Sequence, residues 1–104
     1  MKIFHKINAL AEFRRDHLPF VKTLEDLDIV RQIGAHQEAG RPITLKLLFL
    51  RGIGSIATVQ RRLSRLKRLG VVHQARATND KRIVELKLAP AVIVRHRKLA
   101  ALFK

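Results

Sequence analysis

A chain of 104 residues suits one hydrophobic core and is too short for two, and with 47% hydrophobic residues its heavy charge does not mark disorder. It contains no cysteine, which excludes disulfides, thiolate metal sites and cysteine nucleophiles. The formal charge of +14 is one-sided: residues 1–40 carry six Lys/Arg against six Asp/Glu, whereas residues 41–104 carry sixteen against two, Asp80 and Glu85. Clustered Lys and Arg displace the counterions condensed on phosphates, so a polyanion is the first partner to expect. No apolar stretch approaches a membrane span, and Met1-Lys2 leads into a charged amphipathic segment rather than a signal-peptide core. The expectation is a soluble cytoplasmic protein without membrane contact.

In chain order, Ile3, Phe4, Ile7, Leu10, Ala11 and Phe13 fall near helical spacing and predict a first helix over 2–15, closed by Pro19. Thr23 is a good N-cap for a second helix, and Glu25, Asp26 and Asp28 suit its positive end. Leu24, Leu27, Val30 and Ile33, with Ile29 beside them, form its apolar side, and Gly40 with Pro42 stops it. Thr44 caps a short third helix over 45–51, with Leu47, Leu48 and Leu50 available to a core. Gly52 and Gly54 supply a turn, Ser55 caps a fourth helix over 56–69, and Gly70 ends it.

At 100° per residue, Val59, Leu63 and Leu66 of the fourth helix lie within about 60° of one another. Ala57, Arg61, Ser64 and Arg68 fall opposite, with Gln60 and Arg65 on the flanks, and no acid interrupts the helix. After Gly70, residues 71–76 and 82–88 read as two strands; Val84, Leu86 and Leu88 alternate with Ile83, Glu85 and Lys87. Residues 77–81, Ala-Thr-Asn-Asp-Lys, form the hairpin tip. Pro90 opens a final helix over 91–103 carrying Val92, Ile93, Leu99, Leu102 and Phe103. The expected class is α+β, mainly α: three N-terminal helices, a recognition helix, a β-hairpin wing and a C-terminal helix, together a winged helix-turn-helix.

From Ile43 to Pro90 the chain resembles the MarR family of bacterial transcriptional regulators. Residues 43–54 resemble the family's capped first helix of the helix-turn-helix, and residues 55–72 its recognition helix and the start of its wing. Ser55 matches the capping Ser, Thr58-Val59 the Thr-Val pair, Gly70 the helix-ending Gly, and Asn79-Asp80-Lys81-Arg82 the acidic-basic wing tip. Arg62 departs from the pattern, standing where the family is usually apolar, and only one short helix follows Pro90 in place of long dimerisation helices. The resemblance implies a dimeric regulator, most simply a repressor.

A helix in the major groove reads base edges with its N-terminal half, and Arg to guanine and Gln to adenine are the favoured pairs. Gln60 and Arg61 are therefore the candidate base readers, with Ala57 and Ser64 beside them. Ser55, Thr58, Arg65, Lys67 and Arg68 are assigned to phosphates, which position without specifying. At the wing, Lys81 and Arg82 suit the negative minor groove, with Asp80 orienting a neighbouring Arg. Ile3, Ile7, Leu10, Val92, Leu99 and Phe103 are the candidate dimerisation side chains, because exposed apolar stripes are rare on monomers.

One domain over 1–104 is expected, with a neutral helical and dimerisation part over 1–40, the DNA-binding part over 43–90 and a C-terminal helix over 91–104. His5, His17, His36, His73 and His96 lack metal-ligand spacing, and the pairs Glu12/Asp16 and Glu25/Asp28 read as surface charges or caps. No catalytic residue, metal or cofactor is expected. A small-molecule effector is left open, since no residue supports one. The competing readings are a basic architectural, replication or RNA-associated protein, and an adaptor that binds an acidic partner. The lack of Trp and Tyr for base stacking weighs against single-strand RNA.

Overall fold

The computed structural model describes residues 2–103; Met1 and Lys104, the ends of the expected domain, lie outside the described residues. Helix α1 spans Ile3–His17, two residues further than its apolar pattern suggested. Only Leu18, directly before Pro19, is forced out of the helical region, and its N–H still closes the last turn on the Arg14 carbonyl at 2.9 Å. Helix α2, Leu24–Glu38, opens with a reciprocal capping box. Thr23 Oγ1 accepts from the Asp26 N–H and Asp26 Oδ2 accepts from the Thr23 N–H, both at 3.1 Å. Its end is a Schellman turn: Gly40 takes φ +81°, its N–H bonds to Gln37 O, and the Arg41 N–H bonds to His36 O.

A two-residue strand follows that periodicity could not reveal: β1, Ile43–Thr44. Helix α3, Leu45–Phe49, is capped by Thr44 as expected but stops two residues early, at a C-cap on Leu50. Leu48 is therefore fully buried while Leu50, assigned to the core from its spacing, is 72% exposed. Helix α4, Ile56–Arg68, buries Val59, Leu63 and Leu66 and ends in a second Schellman turn. There Gly70 adopts φ +75° and the Val71 N–H reaches Leu66 O.

Strands β2, Val72–Arg76, and β3, Val84–Leu88, form the wing, in a sheet ordered β1-β3-β2. All pairings are antiparallel, with Ile43 opposite Leu86 and Val72 opposite Leu88. Both wing strands are shorter than expected: the Val71 N–H is taken by the turn that ends α4, and Arg82 and Ile83 stay in the tip, where the Ile83 N–H bonds to Asp80 O.

Helix α5, Pro90–Arg97, has Pro at its first turn and gives way to a 3₁₀ segment, Lys98–Phe103, where one continuous helix was expected. Three residues per turn stack Leu99 and Leu102 on one side, and both pack against the core. That core joins Phe13 and Leu18 of the first helical stretch to Ile29, Val30 and Ile33 of α2, Leu48 of α3, the buried face of α4 and Leu86 and Leu88 of β3. Helix α2 lies so close on the sheet that a methyl at Gly34 would sit 3.2 Å from Leu88.

Candidate nucleic-acid interface

Helix α4 begins with a strong local cap. Ser55 Oγ accepts the Thr58 N–H at 3.1 Å and donates to Thr58 Oγ1 at 3.0 Å. Both hydroxyls assigned to phosphates are thus engaged with each other, and Thr58 is half-buried. With Val59, Leu63 and Leu66 inward, Ala57, Gln60, Arg61, Ser64 and Arg68 all point to solvent. The expected base-reading face is an exposed, acid-free surface one helix wide.

The flank of α4 differs from the sequence reading. Arg62 donates from Nε to Asp26 Oδ1 at 2.8 Å and from Nη2 to Asp26 Oδ2. Arg65, assigned to a phosphate, instead donates from Nη1 to the Phe20 carbonyl at 2.7 Å and to Asp26 Oδ2 at 3.3 Å. Asp26 is 0% exposed and, among the described residues, is the only buried charged or polar side chain. Burial alone would push its carboxyl up, but the Arg62 hydrogen bond, the Lys22 N–H, the Arg62 charge and the Thr23 N–H outweigh it and hold the carboxyl below its ordinary value. The same bond raises the Arg62 guanidinium above its own. An acid at the third position of a capped helix and an Arg at a usually apolar site were both visible in the sequence. Their pairing across 36 residues was not.

Lys67 reaches across to the wing, donating from Nζ to Gln74 Oε1 at 2.9 Å. At the wing tip Asp80 Oδ1 accepts both the backbone N–H and the Nε of Arg82, and Oδ2 accepts Nη2, at 3.0–3.1 Å. This is the charge-assisted orientation expected of Asp80, and the Arg82 hydrogen bonds hold the Asp80 carboxyl below its ordinary value. Arg76 braces the tip by donating to Lys81 O at 3.1 Å, and Lys81 is exposed. Behind the helix-turn-helix, Arg51 donates to His36 Nε2 at 3.0 Å, joining α3 to the end of α2.

The six side chains assigned to a subunit contact divide. Ile3, Ile7 and Phe103 are exposed, and Phe4, placed on the first helix but not assigned to the contact, is more so at 74%. Leu10 and Leu99 are half-buried and line a groove of about 870 Å³ between α1, α2 and α5. Val92 is withdrawn into the chain's own core at 6% exposure and is unavailable to a partner. Among the described residues no three His, Cys, Asp or Glu side chains stand together as a metal-holding group, and no helix is long and apolar enough to cross a membrane.

No protein-family model and no curated protein sequence matches the chain. Solved structures do. The structure of MepR from S. aureus bound to DNA superposes with a TM-score of 0.71 at 18% identity, covering 92% of this chain and 70% of that one. A mutant MarR from E. coli complexed with operator DNA gives 0.62 at 21% identity, over 97% and 71%. FabT of Streptococcus pneumoniae in complex with DNA gives 0.61 at 20%, over 80% of this chain and only 55% of its own. The fold is the winged helix-turn-helix, in the arrangement that MarR and MepR share.

Proposed function

We propose that this chain is a sequence-specific, double-stranded DNA-binding transcriptional regulator that acts as a homodimer, most simply as a repressor, in the cytoplasm. It works by binding and carries no catalysis. The single observation behind this reading is the outward face of α4: Ala57, Gln60, Arg61 and Ser64 exposed on a capped helix, with Arg68 beyond them and an Asp80-oriented Arg82 on the wing. Of the acids near this helix, Asp26 is buried beneath it and Glu25, near Arg62, is half-buried at the start of α2. DNA-bound MepR, MarR and FabT share the fold, which favours duplex DNA over an acidic protein partner.

In this reading Gln60 and Arg61 read base edges, Arg68 and Lys67 position the helix on phosphates, and Lys81 and Arg82 enter the minor groove. Residues 1–104 act as one domain. The dimer is built by α1 and the C-terminal segment, where Ile3, Phe4, Ile7 and Phe103 stand exposed beside the apolar groove lined by Leu10 and Leu99. A two-fold pair of readers matches a palindromic site.

Selection from a randomised duplex pool tests the proposal, with binding of the enriched duplex, random duplex and RNA then compared at two salt concentrations. Enrichment of a palindromic sequence is the expected result. Equal affinity for all three nucleic acids would favour the architectural reading instead.

A further inference from the structure

The Asp26 carboxylate receives five hydrogen bonds: the N–H groups of Lys22 and Thr23, two from Arg62 and one from Arg65. Arg62 and Arg65 are three residues apart on α4 and so share one side of it. That side lies between the buried Val59–Leu63–Leu66 stripe and the exposed Gln60–Arg61–Ser64 face. Apolar packing is non-directional and holds α4 against the core without defining its roll tightly. A bidentate guanidinium–carboxylate pair is directional, and its carboxylate is anchored in the capped first turn of α2. The direction in which the outward face points is therefore set from α2.

The same contacts alter what α4 offers to a polyanion. It carries five basic side chains, Arg61, Arg62, Arg65, Lys67 and Arg68. Arg62 and Arg65 are bound to Asp26 and Lys67 to Gln74, while Arg61 and Arg68 make no side-chain hydrogen bond among the described residues. Two guanidinium groups beside the reading face are held back by one buried acid.

We infer that Asp26 is a specificity-determining positioning residue of the interface: it sets the roll of α4 and withholds Arg62 and Arg65 from phosphates, lowering affinity for any duplex while sharpening discrimination between sequences. The inference rests on the DNA-binding reading above. Its signature is tighter binding to random DNA together with lower discrimination: the lost charge alone tightens binding to both duplexes, and lost structure alone weakens both.

Asp26→Asn is the direct test. It leaves an oxygen for the Lys22 and Thr23 N–H groups, places an amide N–H₂ against the Arg62 Nε, and removes one negative charge. Binding is measured on a random-sequence duplex and on the duplex that the intact chain enriches from a randomised pool, across a salt series, with a thermal melt of each protein. On random duplex, tighter binding at low salt is expected, with a log–log salt slope steeper by about 0.9–1.8 for one or two added phosphate contacts. The ratio of enriched to random affinity is expected to fall about 10-fold, the size of one lost base discrimination. Unchanged binding to both duplexes, or an equal loss on both, overturns the inference while leaving the DNA reading in place. An intact chain that enriches no sequence removes both.

Should Asp26→Asn show no cooperative melt, the paired Asp26→Leu, Arg62→Leu variant carries the test. It replaces the buried pair by apolar volume at constant net charge, a swap that proteins tolerate. It leaves Arg65 with only the Phe20 carbonyl. A slope steeper by about 0.9 with reduced discrimination is then expected; wild-type slope and discrimination overturn the inference.

Discussion

At the scale of single residues the proposed interface depends on which side chains of α4 have nothing else to do. Gln60 and Arg61 are exposed and uncommitted, and each truncation, Gln60→Ala or Arg61→Ala, is expected to flatten sequence preference at a loss of about 1–3 kcal/mol on the enriched duplex. Arg68→Ala is expected to weaken enriched and random duplex alike. Competition binding separates the two behaviours, and equal losses for Arg61→Ala would move the reading face elsewhere. Asp26 adds a pH dependence. Its carboxyl sits below its ordinary value in the folded chain. The stability it contributes is complete above the ordinary carboxylate value, about 3.9, and disappears as pH falls through the lower folded value. Denaturant melts should therefore show wild type more stable than Asp26→Asn near neutral pH, with the gap closing in acid. A gap that stays constant with pH would assign the effect to packing.

At the scale of elements, the ends matter more than the middles. Helices α2 and α4 both finish in Schellman turns that need a left-handed residue, Gly40 and Gly70. Gly70 also launches the wing, since the Val71 N–H closes the turn and Val71 O accepts from the Ala89 N–H at 2.9 Å. No atom would obstruct a methyl at Gly70, so Gly70→Ala isolates the cost of φ +75°. A destabilisation of about 1–2 kcal/mol is expected by urea titration, with no change in the slope of unfolding free energy on urea. At the N-terminal end of α4, Ser55→Ala removes the cap and is expected to cost about 1 kcal/mol. A larger effect is expected on duplex affinity, because a frayed first turn carries Ala57 with it and loosens the turn that holds Gln60.

At the scale of the whole molecule, charge and apolar surface are separated. The net +14 comes from residues 41–104, whereas α1 presents Ile3, Phe4 and Ile7 from a neutral half. A dimer covering roughly 6–10 phosphates is expected to lose about 10³–10⁵ in affinity between 50 and 200 mM salt. A log–log slope shallower than about −3 argues for an apolar protein interface instead. Sedimentation at high salt tests the subunit contact directly. A dimer is expected at micromolar concentration, and an Ile3→Glu, Ile7→Glu double variant is expected to be monomeric and still to melt cooperatively, with a melt that no longer depends on protein concentration, since both residues lie outside the core. A wild-type sediment at 11.9 kDa would leave the terminal helices as a face for some other protein.

Much of this was legible from residue order alone. Helix starts were readable because caps are local: Thr23, Thr44 and Ser55 bond to N–H groups three residues on, and all three do so here. The helix-ending glycines and the α4 stripe of Val59, Leu63 and Leu66 were readable for the same reason, since turn chemistry and helical period lie within a few residues. Only the tertiary structure decided the rest. Ile43–Thr44 is a strand because β3 lies beside it, and two residues carry no period of their own. Leu50 points outward because α3 ends two residues sooner than its apolar spacing suggests, leaving Leu50 at the C-cap. Val92 belongs to its own chain's core, which an apolar spacing does not distinguish from a subunit contact. Arg62 and Arg65 face inward because a carboxylate 36 and 39 residues earlier is buried beneath them. Periodicity reports which side of an element is apolar; which cation meets which anion depends on how the elements are stacked.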